Sequence, residues 1–282
     1  MIIYRPSKPF TEKLTALQEF LLGALSGAAQ GIFEWLPVSS KTILLLIFYE
    51  FGASPSNAYV TGLFLNGATA AAAIIYFRKD LLKIIKGIYM GGFGRVLLSF
   101  LLVSTFMTII VAVPLASLMA ESLNAFGGFS MIIIGILFAL TSIISWIREK
   151  ISTDVKLKEI PTLRDAILAG IAQGFSALPG ISRSGITIFA LLLLGHHPNS
   201  AVRLSFLMSI PATLGGSIYA YLFSPSTLSG ISFVTVSTSI IISLVVSLAV
   251  ISALLRISQK IKAHIFTAIL AIIALLMGMI SI

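Results

Sequence analysis

Two short stretches of the chain gather the residue types that handle an anion. The first carries Gln30, Glu34, Ser39, Ser40, Lys41 and Thr42; the second carries Gln173, Ser176, Ser182, Arg183, Ser184 and Thr187. The run Pro179-Gly180-Ile181-Ser182-Arg183-Ser184-Gly185 reads as a turn opening a helix from Ile186. Backbone N–H groups at such a start, the serine hydroxyls and the helix dipole all favour negative charge. Arg183 adds a planar fork that matches phosphate oxygens. Ser39 and Ser40 stand at the matching helix start of the first stretch. Taken singly, each serine is explained as an N-cap, and Glu34 with Arg183 as a structural ion pair. Hydroxyls, Arg, Lys and Glu converging at one depth exceed what capping requires. The reading is a binding site for an anion, phosphate foremost.

These residues sit in a chain that is 57% hydrophobic and only 10% charged, with no cysteine and a mean hydropathy of +1.05. A soluble domain carries about 25% charged residues, so a water-soluble enzyme is excluded. Disordered and disulfide-rich secreted classes are excluded as well. The expected fold is an all-α polytopic membrane protein. Spans need roughly 20 residues to cross a ~30 Å hydrocarbon core. Six apolar segments are long enough: 58–77, 96–119, 128–147, 201–223, 231–255 and 263–281. Four are short: 17–30 with 40–51, and 165–177 with 183–195. Runs of that length read as re-entrant elements, here two helical hairpins. A signal peptide at 14–29 is rejected, because Gln18 and Glu19 interrupt it and cleavage would discard half of a repeat.

That repeat is visible directly. Gly27-Ala-Ala-Gln30-Gly31 recurs as Gly170-Ile-Ala-Gln173-Gly174, and Leu36-Pro37 recurs as Leu178-Pro179. The chain is thus a single membrane domain, 1–282, made of repeat 1 (17–150) and repeat 2 (160–282). Each repeat is a hairpin followed by three spans, so the second starts on the opposite face. This is an inverted-topology repeat, which places broken helices and a polar site near the midplane. Loop charge agrees with the parity. Fourteen of the nineteen basic residues fall in loops on one side, from Arg78 to Lys262. The positive-inside rule makes that side cytoplasmic and puts both termini outside a plasma membrane. The net charge of +9 therefore reads as loops facing anionic lipid, with no nucleic acid implied.

A charge at the bilayer centre costs roughly 2.5–3.5 kcal/mol, so Glu34 and Arg183 each require a partner or ligand. Other candidates carry less. His196 and His197 read as interfacial loop residues, since no metal cluster surrounds them. Arg78-Lys79-Asp80 reads as a solvated helix end. Trp35 reads as packing and Trp146 as an interfacial residue.

The sequence resembles the undecaprenyl-diphosphatase family, also called the bacitracin-resistance phosphatases. The carrying residues are Gln30-Gly-Ile-Phe-Glu34-Trp-Leu-Pro37-Val-Ser39-Ser40 and Pro179-Gly180-Ile-Ser182-Arg183-Ser184-Gly185-Ile-Thr187. Tyr76-Phe77-Arg78-Lys79-Asp80-Leu81 and Leu204-Ser205-Phe206-Leu207-Met208-Ser209-Ile210-Pro211 extend it. The resemblance implies a membrane enzyme that hydrolyses a polyprenyl diphosphate to the monophosphate and phosphate, recycling a carrier lipid. It implies an outward-opening pocket between two hairpins and assistance by a divalent cation, Mg²⁺ or Ca²⁺. Gln30 and Glu34 match the family's Glu/Gln-x-x-x-Glu motif, Ser39 and Ser40 its serine pair, and Ser182, Arg183, Ser184 and Thr187 its phosphate loop. Two departures mark a divergent member, whose lipid need not be undecaprenyl. The family's Thr-Gly-His after the serine pair is here Lys41-Thr42-Ile43, which removes a histidine. Its C-terminal Tyr-Arg element is replaced within Phe266-Thr267-Ala268-Ile269-Leu270.

The expected division of labour makes Glu34, Ser39, Ser40 and Arg183 catalytic. Ser40 or Ser39 attacks, and Glu34 takes its proton or holds the cation. Gln30, Lys41, Gln173, Ser182, Ser184 and Thr187 bind substrate, with Lys41 supplying charge in place of the lost histidine. The partner is a polyprenyl diphosphate lipid, with a homodimer also open. A lipid or anion transporter, or flippase, is the other reading of an inverted repeat. It needs the Glu34 and Arg183 binding groups but no nucleophile.

Overall fold

The computed structural model describes residues 14–37, 39–53, 55–119, 157–177, 181–223, 230–260 and 262–280, with scattered positions between 132 and 146. The expected span at 128–147 lies mostly outside them, as do Val38, Leu178, Pro179, Gly180 and the side chain of Thr42. Every long element among the described residues is a helix, and an isolated β-bridge joins Lys158 and His196. In chain order the helices are α1 (Ala16–Phe33), α2 (Ser40–Glu50), α3 (Pro55–Tyr76), α4 (Arg78–Met90), α5 (Gly92–Met119), α6 (Leu163–Gly174), α7 (Arg183–Leu193), α8 (Pro198–Phe223), α9 (Phe233–Lys260) and α10 (Ala263–Ile280). Four of them, α3, α5, α8 and α9, are long and apolar enough to cross a membrane. The expected short pairs appear as α1 with α2 and α6 with α7. Helix α1 runs three residues further than the apolar run suggested, ending at Phe33. Its start is set by a capping box between Thr15 and Gln18, and α6 starts the same way with Thr162 and Asp165.

The burial pattern is that of a protein dissolved in lipid. Helix α9 buries Thr235, Ser239, Ser243 and Ser247, while Ile241 is 63% exposed and Val245 59%. Water would reverse that arrangement. In lipid, apolar side chains gain nothing by turning inward, and small polar residues let helices approach closely. Helix α1 lies on this serine face. A Cβ added at Gly27 would stand 2.6 Å from the Ser239 carbonyl oxygen, and Ser26 shares a 2.7 Å hydrogen bond with Ser239. Helix α6 uses α5 likewise, with a Cβ at Gly170 falling 2.4 Å from the Ser104 carbonyl. Each short pair is therefore seated on a long helix of the other half. Between them, Trp35 joins Phe206, Leu207, Ile188 and Leu191 in the larger apolar cluster.

Two polar clusters at the basic-loop end correct the expectations. Asp80 is buried rather than solvated, and Arg203 of α8 pairs with both its carboxylate oxygens. Arg78-Lys79-Asp80 opens a separate helix, α4, which doubles back on α5 through Gly91 and Gly92, both at positive φ. His196 is likewise fully covered rather than a loop residue at an interface. Its Nε2 lies 3.2 Å from Asp165 Oδ2, and Lys158 pairs with Asp165 Oδ1 at 3.2 Å. The backbone closes the same cluster, with Lys158 N–H donating to the Gly195 carbonyl and His197 N–H to that of Lys158. Short apolar runs show where chain turns fall. They do not show which loop charges turn back inward.

Burial lowers the pKa of His196, and the Asp165 carboxylate pulls less strongly the other way. The neutral ring is the folded form, so the stability it contributes is complete above about pH 6.5, the free-histidine value. Below that the unfolded chain takes up the proton first, and stability falls as pH drops through the lowered folded value. Thermal unfolding in detergent should therefore lose more between pH 7.5 and 5.5 for wild type than for His196→Gln. Equal losses would contradict this assignment.

Candidate active site

The first tip starts where α1 ends. Glu34 follows the helix directly, with its backbone N–H still donating to the Gln30 carbonyl. The chain then turns through Leu36 and Pro37 and re-enters helix at Ser40. The second tip starts α7 at Arg183, with Ser182 as N-cap, its Oγ accepting from Gly185 N–H at 3.1 Å. The two tips touch. Ser182 and Ser184 both donate to the Leu36 carbonyl, at 3.1 and 2.6 Å. A Cβ at Gly185 would lie 3.2 Å from Pro37.

Glu34 is the centre of the contact. Arg183 Nη2 donates to Oε1 at 2.9 Å. Ser40 Oγ donates to Oε2 at 2.7 Å and Gln30 Nε2 to the same oxygen at 3.1 Å. The carboxylate is 7% exposed and the guanidinium 10%, so the pair is shielded from screening. Gln30 is held in turn by Asn66 of α3, whose Oδ1 accepts from Nε2 at 2.7 Å. Thr187 Oγ1 donates to the Arg183 carbonyl at 2.8 Å and meets Ser205 Oγ of α8.

Four orphaned atoms show what the site lacks. Arg183 Nε and Nη1, Trp35 Nε1 and Gln30 Oε1 are buried with no hydrogen-bond partner among the described residues. An unmet buried donor costs about 1–3 kcal/mol, more when charged. Three of the four are donors, two of them on a guanidinium. Phosphate oxygens are the acceptors such a fork fits.

The structure brings together Gln30, Glu34, Ser40, Ser182, Arg183, Ser184 and Thr187. Ser39 is buried beside them at the start of α2, and Lys41 is half-buried with no ion pair among the described residues. Gln173 does not enter the Glu34 network; its Nε2 donates to Thr108 of α5 at 3.0 Å. The hydroxyls of Ser182 and Ser184 engage Leu36, so they tie tip to tip. Asn66 and Ser205 were missed, and so was the Leu36 carbonyl. Asn66 had a signal, an amide inside an otherwise apolar span, where polar groups are expensive.

The chain matches the family described as bacitracin resistance protein BacA over residues 23–276. It belongs to the BacA family. An undecaprenyl-diphosphatase of Saccharolobus solfataricus is 39% identical over 269 residues, 93% of this chain and 96% of the relative. One of Pyrobaculum aerophilum is 37% identical over 265 residues, covering 93% and 98%. Another, from Methanococcoides burtonii, is 42% identical over 200 residues, covering 68% and 74%. The matched region contains both tips of this BacA-family chain.

The ion pair has a stability signature. Removing one partner leaves the other charge buried, a loss of about 3–5 kcal/mol. Arg183→Met should therefore unfold at lower temperature than the double variant Glu34→Gln/Arg183→Met. If the double variant is the less stable, Glu34 and Arg183 are not partners.

Proposed function

We propose that this membrane-embedded chain hydrolyses a polyprenyl diphosphate to the lipid monophosphate and inorganic phosphate. The observation that carries the reading is Ser40 donating to Glu34 while Glu34 is bound to an arginine with two unmet buried donors. A hydroxyl paired with a carboxylate is an activated nucleophile, and an arginine with free forks holds the phosphoryl group it attacks. The shared name of the relatives, undecaprenyl-diphosphatase, supports the same chemistry. A transporter needs no Ser40–Glu34 pair and draws no support from those relatives.

In this mechanism Arg183 and the first-turn N–H groups of α7 orient the terminal phosphate. Ser40 Oγ attacks its phosphorus and the anhydride P–O bond breaks, releasing the lipid monophosphate. Glu34 takes the Ser40 proton, which fits the absence of the family's histidine at Ile43. Glu34 passes that proton to the departing lipid monophosphate, takes one from the water that attacks the phosphoserine, and returns it to Ser40 Oγ as phosphate leaves. Ser39 shapes the same helix start, and Lys41 adds positive charge at its rim.

Divalent cations are implied by the family resemblance, and the donors present fit one. The Glu34 carboxylate and the orphaned Oε1 of Gln30 would supply hard oxygen ligands, and the second lone pair of Oε1 can still accept a hydrogen bond. Waters and substrate phosphates would fill the rest of a Mg²⁺ shell. A bound cation would neutralise phosphate charge that Arg183 and Lys41 leave uncompensated. We place the short pairs as re-entrant hairpins among six spans in an inverted repeat. The termini lie outside and the basic loops in the cytoplasm, which the loop charges support.

Phosphate release from farnesyl diphosphate by the purified chain with Mg²⁺ tests the reading. Wild type should turn over, and Ser40→Ala, Glu34→Ala and Arg183→Ala should each fall by about 10²–10⁴-fold. A wild type that releases no phosphate from C15 to C55 substrates would sink the phosphatase reading. Full activity in Ser40→Ala would remove Ser40 as nucleophile and leave the rest. Orientation has a separate check: a tag at residue 154 should be unreachable from outside intact cells, and labelling there would reverse the topology.

A further inference from the structure

The two halves set the same parts together but complete them differently. In the second half, a Cβ at Gly174 would lie 3.2 Å from the Thr108 carbonyl of α5 and closer still to Val111. Thr108 is fully engaged there. Its Oγ1 faces the Ser104 carbonyl at 2.7 Å and the Gly170 carbonyl at 3.0 Å, and it accepts from Gln173 Nε2 at 3.0 Å. In the first half, Gly31 is the counterpart of Gly174 in the repeated Gly-x-x-Gln-Gly. A Cβ at Gly31 would lie 2.9 Å from the Ser243 carbonyl of α9 and 2.8 Å from Val246. The next turn agrees, because Gly27 sits on Ser239 as Gly170 sits on Ser104. Ser243 therefore occupies on α9 the place of Thr108 on α5. Gln30 stands to Ser243 as Gln173 stands to Thr108.

The bond closed in the second half is open in the first. Among the described residues Ser243 Oγ is fully buried without a partner, and so is Gln30 Oε1. The amide nitrogen of Gln30 has turned to Glu34 and Asn66 instead. Ser247 Oγ, one turn further along α9, and Gln173 Oε1 are unmet as well. The hydroxyl at the counterpart position to Thr108 is that of Ser243, however, which can donate, and Gln30 Oε1 can only accept. Each is costly to leave unmet at this depth, and each is what the other needs.

We propose that Ser243 is a positioning residue for the reaction at Glu34. In the substrate-loaded site its hydroxyl donates to Gln30 Oε1, directly or through one buried water. That bond fixes which end of the amide faces the carboxylate. With Oε1 held by Ser243, Nε2 faces Glu34 Oε2 and Asn66, and Oε2 keeps its orientation toward Ser40. Without it the amide can turn and set its oxygen against the carboxylate. The proposal rests on the phosphatase reading of the same site. It also departs from the plain role of the Thr235, Ser239, Ser243 and Ser247 face, which is to let α1 approach α9.

Steady-state hydrolysis of farnesyl diphosphate by the purified full-length chain separates these roles. Ser243→Ala should lower kcat about tenfold, the equivalent of one hydrogen bond, with KM held within about twofold. Ser243→Thr, which installs the residue found at the counterpart position, should restore kcat. In a Gln30→Met background, Ser243→Ala should cost nothing further. Ser247→Ala, one turn along the same face, should leave both constants unchanged. Wild-type kcat in Ser243→Ala would overturn the proposal. So would an equal loss in Ser247→Ala, or a tenfold loss persisting on Gln30→Met. A wild type that releases no phosphate would defeat the phosphatase reading alone. The same cycle read by thermal unfolding with pyrophosphate present would then decide the Gln30–Ser243 bond, coupling supporting it and additivity overturning it.

Discussion

A carboxylate and a guanidinium from opposite halves of the chain meet inside an apolar bundle, and neither is tolerable there alone. Glu34 ends α1 and Arg183 begins α7, 149 positions apart, yet they lie 2.9 Å from each other. The rest of the site follows from that requirement. Ser182 and Ser184 bind the Leu36 carbonyl so that the tips stay in register. Gln30, held in turn by Asn66, donates to Glu34 Oε2, and Ser40 donates to the same oxygen. Arg183 still has two donors left over. A purely structural ion pair would leave no such surplus on a buried guanidinium, since each unmet donor is destabilising. The proposed substrate phosphate would meet that surplus.

The scaffold achieves this placement through close contact between backbones. Lipid supplies no hydrophobic drive between helices, so association rests on packing and on hydrogen bonds that small residues permit. Gly27 over Ser239 and Gly170 over Ser104 bring each short pair against a long helix of the other half. Swapping the hairpins across the halves forces the tips together in the middle. The Asp80–Arg203 and His196–Asp165 pairs at the basic-loop end are built on the same logic: a charge buried in this solvent must have its partner buried with it.

Much of this was legible in the residues, for physical reasons. Apolar length separates spans from short pairs, and the repeated Gly-x-x-Gln-Gly marks equivalent turns. Low overall charge makes Glu34 and Arg183 stand out, and the structure joins them. What was not legible is what depends on a third helix. Nothing local in Asn66 or Ser205 says that it turns toward a tip. The serines of the second tip read as phosphate ligands, and nothing local shows that their hydroxyls also reach the backbone of the first. Gln173, the repeat counterpart of Gln30, is bonded to Thr108 instead of the Glu34 network, because a repeat fixes equivalent positions and not equivalent neighbours. Asp80 and His196 looked solvated because charge beside a loop usually is.

The chain contains no cysteine, which makes the tip-to-tip contact directly measurable. A Cβ at Gly185 lies 3.2 Å from the Pro37 Cβ, close to the roughly 3.5–4.5 Å that a disulfide spans. Pro37→Cys/Gly185→Cys should oxidise in native membranes to a bridge joining the two halves. After cleavage at a protease site introduced near residue 150, the halves should then run as one species until reductant is added. Halves that separate without reductant, under oxidation that bridges a control pair within one helix hairpin, would contradict a site formed where the two tips meet.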